Sequence, residues 1–162
     1  MKLVCWLAGV ILVLDQITKA MALRRLAPGV PVPVLDGLFS LTLVMNPGLA
    51  FGMLSGAPAG WRWIAGMLSL VALAILSVIA ARLLPTGGVW TALSLGLVFG
   101  GAAGNLVDRV RFGAVVDFLD FYWRGYHWPA FNVADSAITV GVGLLALRMM
   151  LTPAAPPDRA PR

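Results

Sequence analysis

The chain has 162 residues, of which 60% are apolar and 12% charged, against about 45–50% and about 25% in a soluble globular domain. That balance excludes an ordinary water-soluble domain, and a net charge of +5 carried by scattered basic residues, with no run longer than Arg24–Arg25, excludes a nucleic-acid-binding stripe. One cysteine, Cys5, one histidine, His127, and no glutamate exclude an intrachain disulfide, a cysteine-rich metal site and an HExxH zinc site, and a Ser-His-Asp triad could form only around His127.

Four stretches approach the roughly 20 apolar residues that cross the hydrocarbon core. The first, about 3–23, carries Asp15 and Lys19 four residues apart on one helical face. Its apolar run after Lys2 imitates a cleavable leader, but Asp15 and Gln16 fall where a leader stays apolar or small, so it is read as a retained membrane helix. The connection 28–60 follows, with prolines 28, 31 and 33, a β-prone run Leu38 to Val44 and a glycine-rich segment from Asn46 to Gly56. It predicts short strands and a loop outside the membrane.

The second span, about 63–81, lies between Arg62 and Arg82 with Trp61 and Trp63 as interfacial anchors. Pro85, Gly87 and Gly88 predict a turn before the third, about 89–107. There Gly96, Gly100 and Gly104 line one face and admit a neighbouring helix closely. The connection 108–132 gathers three Asp, three Arg, two Trp, two Tyr and His127, a composition suited to the headgroup region. The fourth span, about 133–151, starts with Asp135 and ends with Arg148, matching the helix dipole. Residues 152–162, with four prolines, are read as a disordered tail. The fold class expected is an all-α membrane protein of four transmembrane helices with a small β element, in a single domain over 1–151.

All seven acidic residues are aspartates, at 15, 36, 108, 117, 120, 135 and 158, so carboxylate chemistry rests on Asp. A charged Asp inside a membrane helix costs about 2.5–3.5 kcal/mol on insertion scales and is kept for pairing or function. Asp15 has Lys19 as a local ion-pair partner, whereas Asp135 has no basic residue within a helical turn. Two close carboxyls share a proton, so that one acts as base toward water and the other as acid toward a carbonyl oxygen. The partner of Asp135 comes from Asp108, Asp117, Asp120 or Asp36. Asp117, after the β-branched Val115 and Val116, is preferred to Asp120. Asp108, beside Arg109 and three residues after Asn105, reads as a polar clamp. Ser136 reads as a capping residue, and Asn46-Pro47-Gly48 as a turn.

Five segments together resemble the lipoprotein signal peptidases: Asp15-Gln16-Ile17-Thr18-Lys19, Asn46-Pro47-Gly48-Leu49-Ala50-Phe51, Gly104-Asn105-Leu106-Val107-Asp108-Arg109, Val115-Val116-Asp117-Phe118 and Phe131-Asn132-Val133-Ala134-Asp135-Ser136. The resemblance implies a four-helix aspartyl endopeptidase of the bacterial inner membrane, with both termini cytoplasmic and the site near the outer leaflet; a monomer is expected. It implies cleavage of prolipoproteins before a diacylglyceryl-modified cysteine, sensitivity to globomycin and no cofactor. Its partners would be the lipid-modified substrate and membrane lipids. It implies Asp117 and Asp135 as the catalytic pair, with Asp15, Asn46, Gly48, Asn105, Asp108, Arg109 and Asn132 lining or bracing the site, and 28–60 as an extracytoplasmic β-cradle. Basic residues count five on the terminal side and seven on the other, so the positive-inside rule leans against cytoplasmic termini. A rival use of intramembrane aspartates is a small ion-coupled carrier, although the sequence holds no evident inverted repeat.

Overall fold

A computed structural model describes residues 1–47 and 61–151. The predicted tail and the second half of the connection 28–60, with Gly48, lie outside the described residues. Helix α1 (Lys2–Arg25) is followed by β1 (Val32–Leu35) and β2 (Phe39–Asn46), then the helical segment α2 (Trp61–Phe112), β3 (Val115–Trp123), β4 (Tyr126–His127) and α3 (Val133–Leu151). The fold is mostly helical with one small antiparallel sheet in the order β1-β2-β3-β4. Lys2–Arg25, Gly66–Phe112 and Val133–Leu151 are long and apolar enough to cross a membrane.

The expected turn at 85–88 takes a different form. Helical structure runs through Pro85 and breaks only at Gly88, with φ 65° and ψ −167°, a conformation essentially confined to glycine. Leu76, Ala80 and Leu84 before the break share one apolar cluster with Ala92, Leu95 and Phe99 after it, around Val4 of α1. On an unbroken helix Ala80 and Leu95 would stand about 22 Å apart, so the two arms of α2 fold back together at Gly88. The second arm continues past the expected end at 107 to Phe112, with Arg109 and Arg111 in its last turn, where cations suit the dipole.

The glycine face meets α1. Cβ atoms at Gly96, Gly100 and Gly104 would strike Leu7, Ile11 with Ala8, and Asp15 respectively, so two four-residue rows interlock along the two helices. At Gly100 the collision is with Ile11 Cβ at 2.7 Å and the Ala8 carbonyl oxygen at 2.8 Å, neither of which can swing aside. Gly100→Ala is therefore expected to destabilise the protein by about 1–3 kcal/mol. Gly143 of α3 has open space around it, and Gly143→Ala should be neutral or stabilising by up to about 1 kcal/mol. Thermal unfolding of both variants in one detergent checks the ranking; a Gly100→Ala midpoint equal to or above that of Gly143→Ala contradicts it.

The sheet carries the first irregularity that matters to function. Its register pairs Ser40 with Asp120 and Leu41 with Leu119, then slips by one residue so that Val44 pairs with Asp117 and Asn46 with Val115. One extra residue in β2 is a β-bulge, and a slip of one residue exchanges the two faces of a strand. The β3–β4 hairpin closes through Arg124 (φ 50°) and Gly125 (φ 83°), the paired positive φ values of a type I′ turn.

Candidate active site

Strict alternation along β2 would place Asn46 on the face of Ser40 and Thr42. The bulge moves it to the other face, beside Asp117, and Asn46 Nδ2 donates to Asp117 Oδ2 at 2.9 Å. Asp117 and Asp120 are three residues apart on β3, so they project to opposite faces. Asp120 accepts from the Ser40 and Thr42 hydroxyls at 3.2 Å each and pairs with His127 Nδ1 at 2.9 Å. That cluster ties β2, β3 and β4 together on the far side of the sheet. Asp36 lies exposed in the β1–β2 turn.

Asn132 brings Asp135 to Asp117. Phe131 exchanges backbone hydrogen bonds with Leu119, donating at 3.0 Å and accepting at 2.8 Å, and this holds the next residue against β3. Asn132 then caps α3. Its Oδ1 accepts from the Asp135 N–H at 2.9 Å, while its own N–H donates to Asp135 Oδ2 at 3.3 Å, a reciprocal capping box. The cap expected at Ser136 is thus Asn132 instead, because only Asn132 precedes the first turn; the Ser136 hydroxyl donates back to the Asn132 carbonyl at 2.9 Å. The Asn132 Nδ2 amide donates to Asp117 Oδ1 at 2.7 Å. A single fully buried side chain therefore holds one carboxyl through its amide while its backbone holds the other.

Burial pushes the Asp117 carboxyl up to about 6; the hydrogen bonds from Asn46 and Asn132 oppose this, and the charge of Asp135 adds to it. Asp135 Oδ1 also accepts from Asn105 Nδ2 at 2.7 Å. Beneath the two carboxyls lies a buried polar layer joining α1 to α2 and α3. Lys19 Nζ reaches Asp15 Oδ2 at 2.8 Å, Asp108 Oδ2 at 2.7 Å and Asn105 Oδ1 at 2.9 Å. Asp15 Oδ1 accepts from the Ala134 N–H at 3.0 Å, and Asp108 Oδ2 from the Val116 N–H at 3.1 Å, so these two carboxylates fix the backbone beside each member of the pair. Gln16 bridges Asp15 and Asp108 at 3.2 and 3.0 Å.

Residues 7–151 match the family described as Signal peptidase (SPase) II. The chain belongs to that family. It is an aspartic peptidase of the membrane. The lipoprotein signal peptidases of Geobacter metallireducens and Geobacter sulfurreducens are 50% and 49% identical to it, over 88% and 86% of this chain and 86% of each of theirs. Two solved structures, each described as a bacterial membrane enzyme, superpose with TM-scores of 0.78 and 0.77 at 27% and 26% identity, covering 94% and 100% of this chain and 96% of each of theirs.

Of the positions marked in this signal peptidase II by resemblance, the structure brings together Asp15, Asn46, Asn105, Asp108, Asp117, Asn132 and Asp135. Arg109 joins them from the rim, within the electrostatic reach of Asp135, Asp117 and Asp108. Its Nη1 donates to the Asn105 carbonyl at 3.4 Å, and its buried Nε has no hydrogen-bond partner among the described residues. Two contributors were missed: Lys19, read only as the partner of Asp15, and Gln16. The spacing of Asp15 and Lys19 could show their mutual pair, but the contacts to Asn105 and Asp108 span 86 to 92 residues and leave no local signal.

Proposed function

We propose that this signal peptidase II cleaves diacylglyceryl-modified prolipoproteins on the N-terminal side of the modified cysteine, with Asp117 and Asp135 as its acid–base pair. The supporting observation is the double hold of Asn132, 2.7 Å from Asp117 through its amide and 3.3 Å from Asp135 through its backbone N–H, which ties both carboxyls to one residue, with the charge of Asp135 felt at Asp117. A water admitted there gives a proton to the ionised carboxylate as its oxygen attacks the scissile carbonyl, and the protonated partner donates to the carbonyl oxygen. Collapse of the tetrahedral intermediate breaks the C–N bond; the proton taken from water passes to the leaving amine, and a hydroxyl of the intermediate returns its proton to the acid. The products are the leader's new carboxylate and the free amino group of the lipidated cysteine. The buried Nε of Arg109, without a hydrogen-bond partner among the described residues, suits a substrate carbonyl beside the pair.

Four crossings follow on this reading. Gly66–Phe112, at 1.5 Å per residue, would span about 70 Å if straight, more than twice a 30 Å hydrocarbon core, and the break at Gly88 divides it into two spans. Both termini then lie on the cytoplasmic side of the inner membrane and the sheet lies at the outer leaflet. Exposed Trp123, Tyr126 and Trp128 suit the headgroup level there, where the diacylglyceryl chains can stay in lipid while the peptide reaches the aspartates. The enzyme acts as a monomer and needs no metal.

The test is cleavage by the purified protein in detergent. A diacylglyceryl-modified precursor should be cut at the cysteine, with EDTA without effect and globomycin inhibitory, while the unmodified precursor is left intact. Equal cleavage of both precursors would overturn the substrate assignment. No cleavage, together with ion uptake into proteoliposomes, would favour a carrier.

A further inference from the structure

The two carboxyls of the pair are not in equivalent surroundings. Lys19, with 2% of its side chain exposed, spends its three ammonium protons on Asp15, Asp108 and Asn105. The Asn105 Oδ1 it contacts also accepts from Asn132 Nδ2 at 3.2 Å. An amide whose oxygen faces a cation and a second donor becomes a stronger N–H donor. The Asn105 amide donates to one member of the pair only, Asp135, at 2.7 Å. Asp135 also sits in the first turn of α3, where the helix dipole favours an anion. Asp117 stands on a β-strand, with no such dipole, and accepts from Asn46 and Asn132. The Oδ1 atom of that Asn132 amide accepts from the neutral Asp135 N–H at 2.9 Å.

We propose that Lys19 is a positioning residue which, acting through Asn105, keeps the negative charge of the pair on Asp135 and the shared proton on Asp117. This rests on the acid–base reading above. It makes Asp135 the base that receives the water proton and Asp117 the acid that donates to the carbonyl oxygen. The charged groups that bear on the pair are Asp15 and Lys19 from α1 and Asp108 and Arg109 from α2; Asp120 and His127 belong to the opposite face of the sheet. Removing Lys19 leaves Asp15 and Asp108 to repel charge on Asp135, whereas neutralising Asp15 removes one repelling anion and leaves the cation in place. The two changes therefore act on Asp135 in opposite senses.

The experiment is the pH profile of kcat/KM for the lipidated precursor, whose rising limb reports ionisation of the free enzyme's base. For Lys19→Gln the rising limb should move up by about one pH unit, so that the rate falls about tenfold on the acid side and the deficit shrinks as pH rises. For Asp15→Asn the limb should move down. Limbs that stay in place, that move in the same direction, or a loss equal at every pH would overturn the proposal in favour of a purely structural brace. If Lys19→Gln cannot be purified folded, Asp15→Asn decides alone, and a limb unmoved or raised overturns it. Asp117→Asn and Asp135→Asn, assayed in parallel, separate the two levels. Cleavage retained by either sinks the acid–base pair itself, while its loss in both with unmoved limbs sinks only the role of Lys19.

Discussion

Asp117→Asn is expected to abolish cleavage of a lipidated precursor and, in the same protein, to raise the thermal unfolding midpoint at pH 8. The activity loss should be at least about 10³-fold, within the range that one general acid or base contributes, and Asp135→Asn should match it. Asp120→Asn, altered on the opposite face of the sheet, should retain most activity. The stability gain follows from burial, which lifts Asp117 from the ordinary value near 3.8 to about 6. A carboxyl raised in the folded state stabilises it while protonated. That contribution is complete below the unfolded value and is lost as pH rises through about 6. Two units correspond to a ceiling of about 3 kcal/mol above pH 6. The asparagine escapes that penalty but turns an N–H₂ toward one of the two donors, Asn46 and Asn132, and forfeits a hydrogen bond of about 1 kcal/mol. The net gain at pH 8 is about 1–2 kcal/mol, and at pH 4, where the wild-type carboxyl is protonated, the ranking should reverse. Thermal unfolding followed by tryptophan fluorescence at the two pH values checks this, and a variant less stable than wild type at pH 8 would contradict it.

Asn132→Ala should cost nearly as much activity, on the order of 10²-fold or more, because acid–base catalysis depends on placement as much as on chemistry. It should also lower stability. The N-cap of α3 is lost, at about 1 kcal/mol, and the buried Asp117 Oδ1 loses its 2.7 Å donor, at about 1–3 kcal/mol, whereas Asn105 Oδ1 keeps Lys19 Nζ at 2.9 Å. Asn132→Asp separates the two roles. It keeps an acceptor for the Asp135 N–H and so keeps the cap, but it replaces the amide donor to Asp117 with a third carboxylate. It should remain more stable than Asn132→Ala while being equally inactive. Wild-type turnover in either variant would show that the pair does not depend on the amide that joins it.

Much of this protein is determined by local pattern. Apolar runs of membrane length, the aspartate at the start of α3 and the arginine at its end, the four-residue glycine row and the β-prone run before Asn46 each depend on neighbours within a few turns of the chain, and each is legible in the order of residues. The inventory of ionisable groups likewise left aspartate as the source of carboxylate chemistry, and Val115 and Val116 marked the strand that holds Asp117. Only the tertiary structure decided how these parts meet. The bulge between Leu41 and Val44 turns Asn46 toward Asp117, yet nothing local in β2 announces an extra residue, because a bulge is defined against the partner strand. Asp117 and Asp120 separate onto opposite faces of one sheet, Asp117 against Asn132 and Asp120 against His127, only once that sheet has neighbours. Gly88, rather than the whole run from Pro85, is where the helical arms reverse, since their packing around Val4 sets the break. The buried charge of Lys19 is balanced by Asp15 four residues away and by Asp108 from another helix, and a hydrogen bond across 89 residues carries no trace in the spacing of either partner.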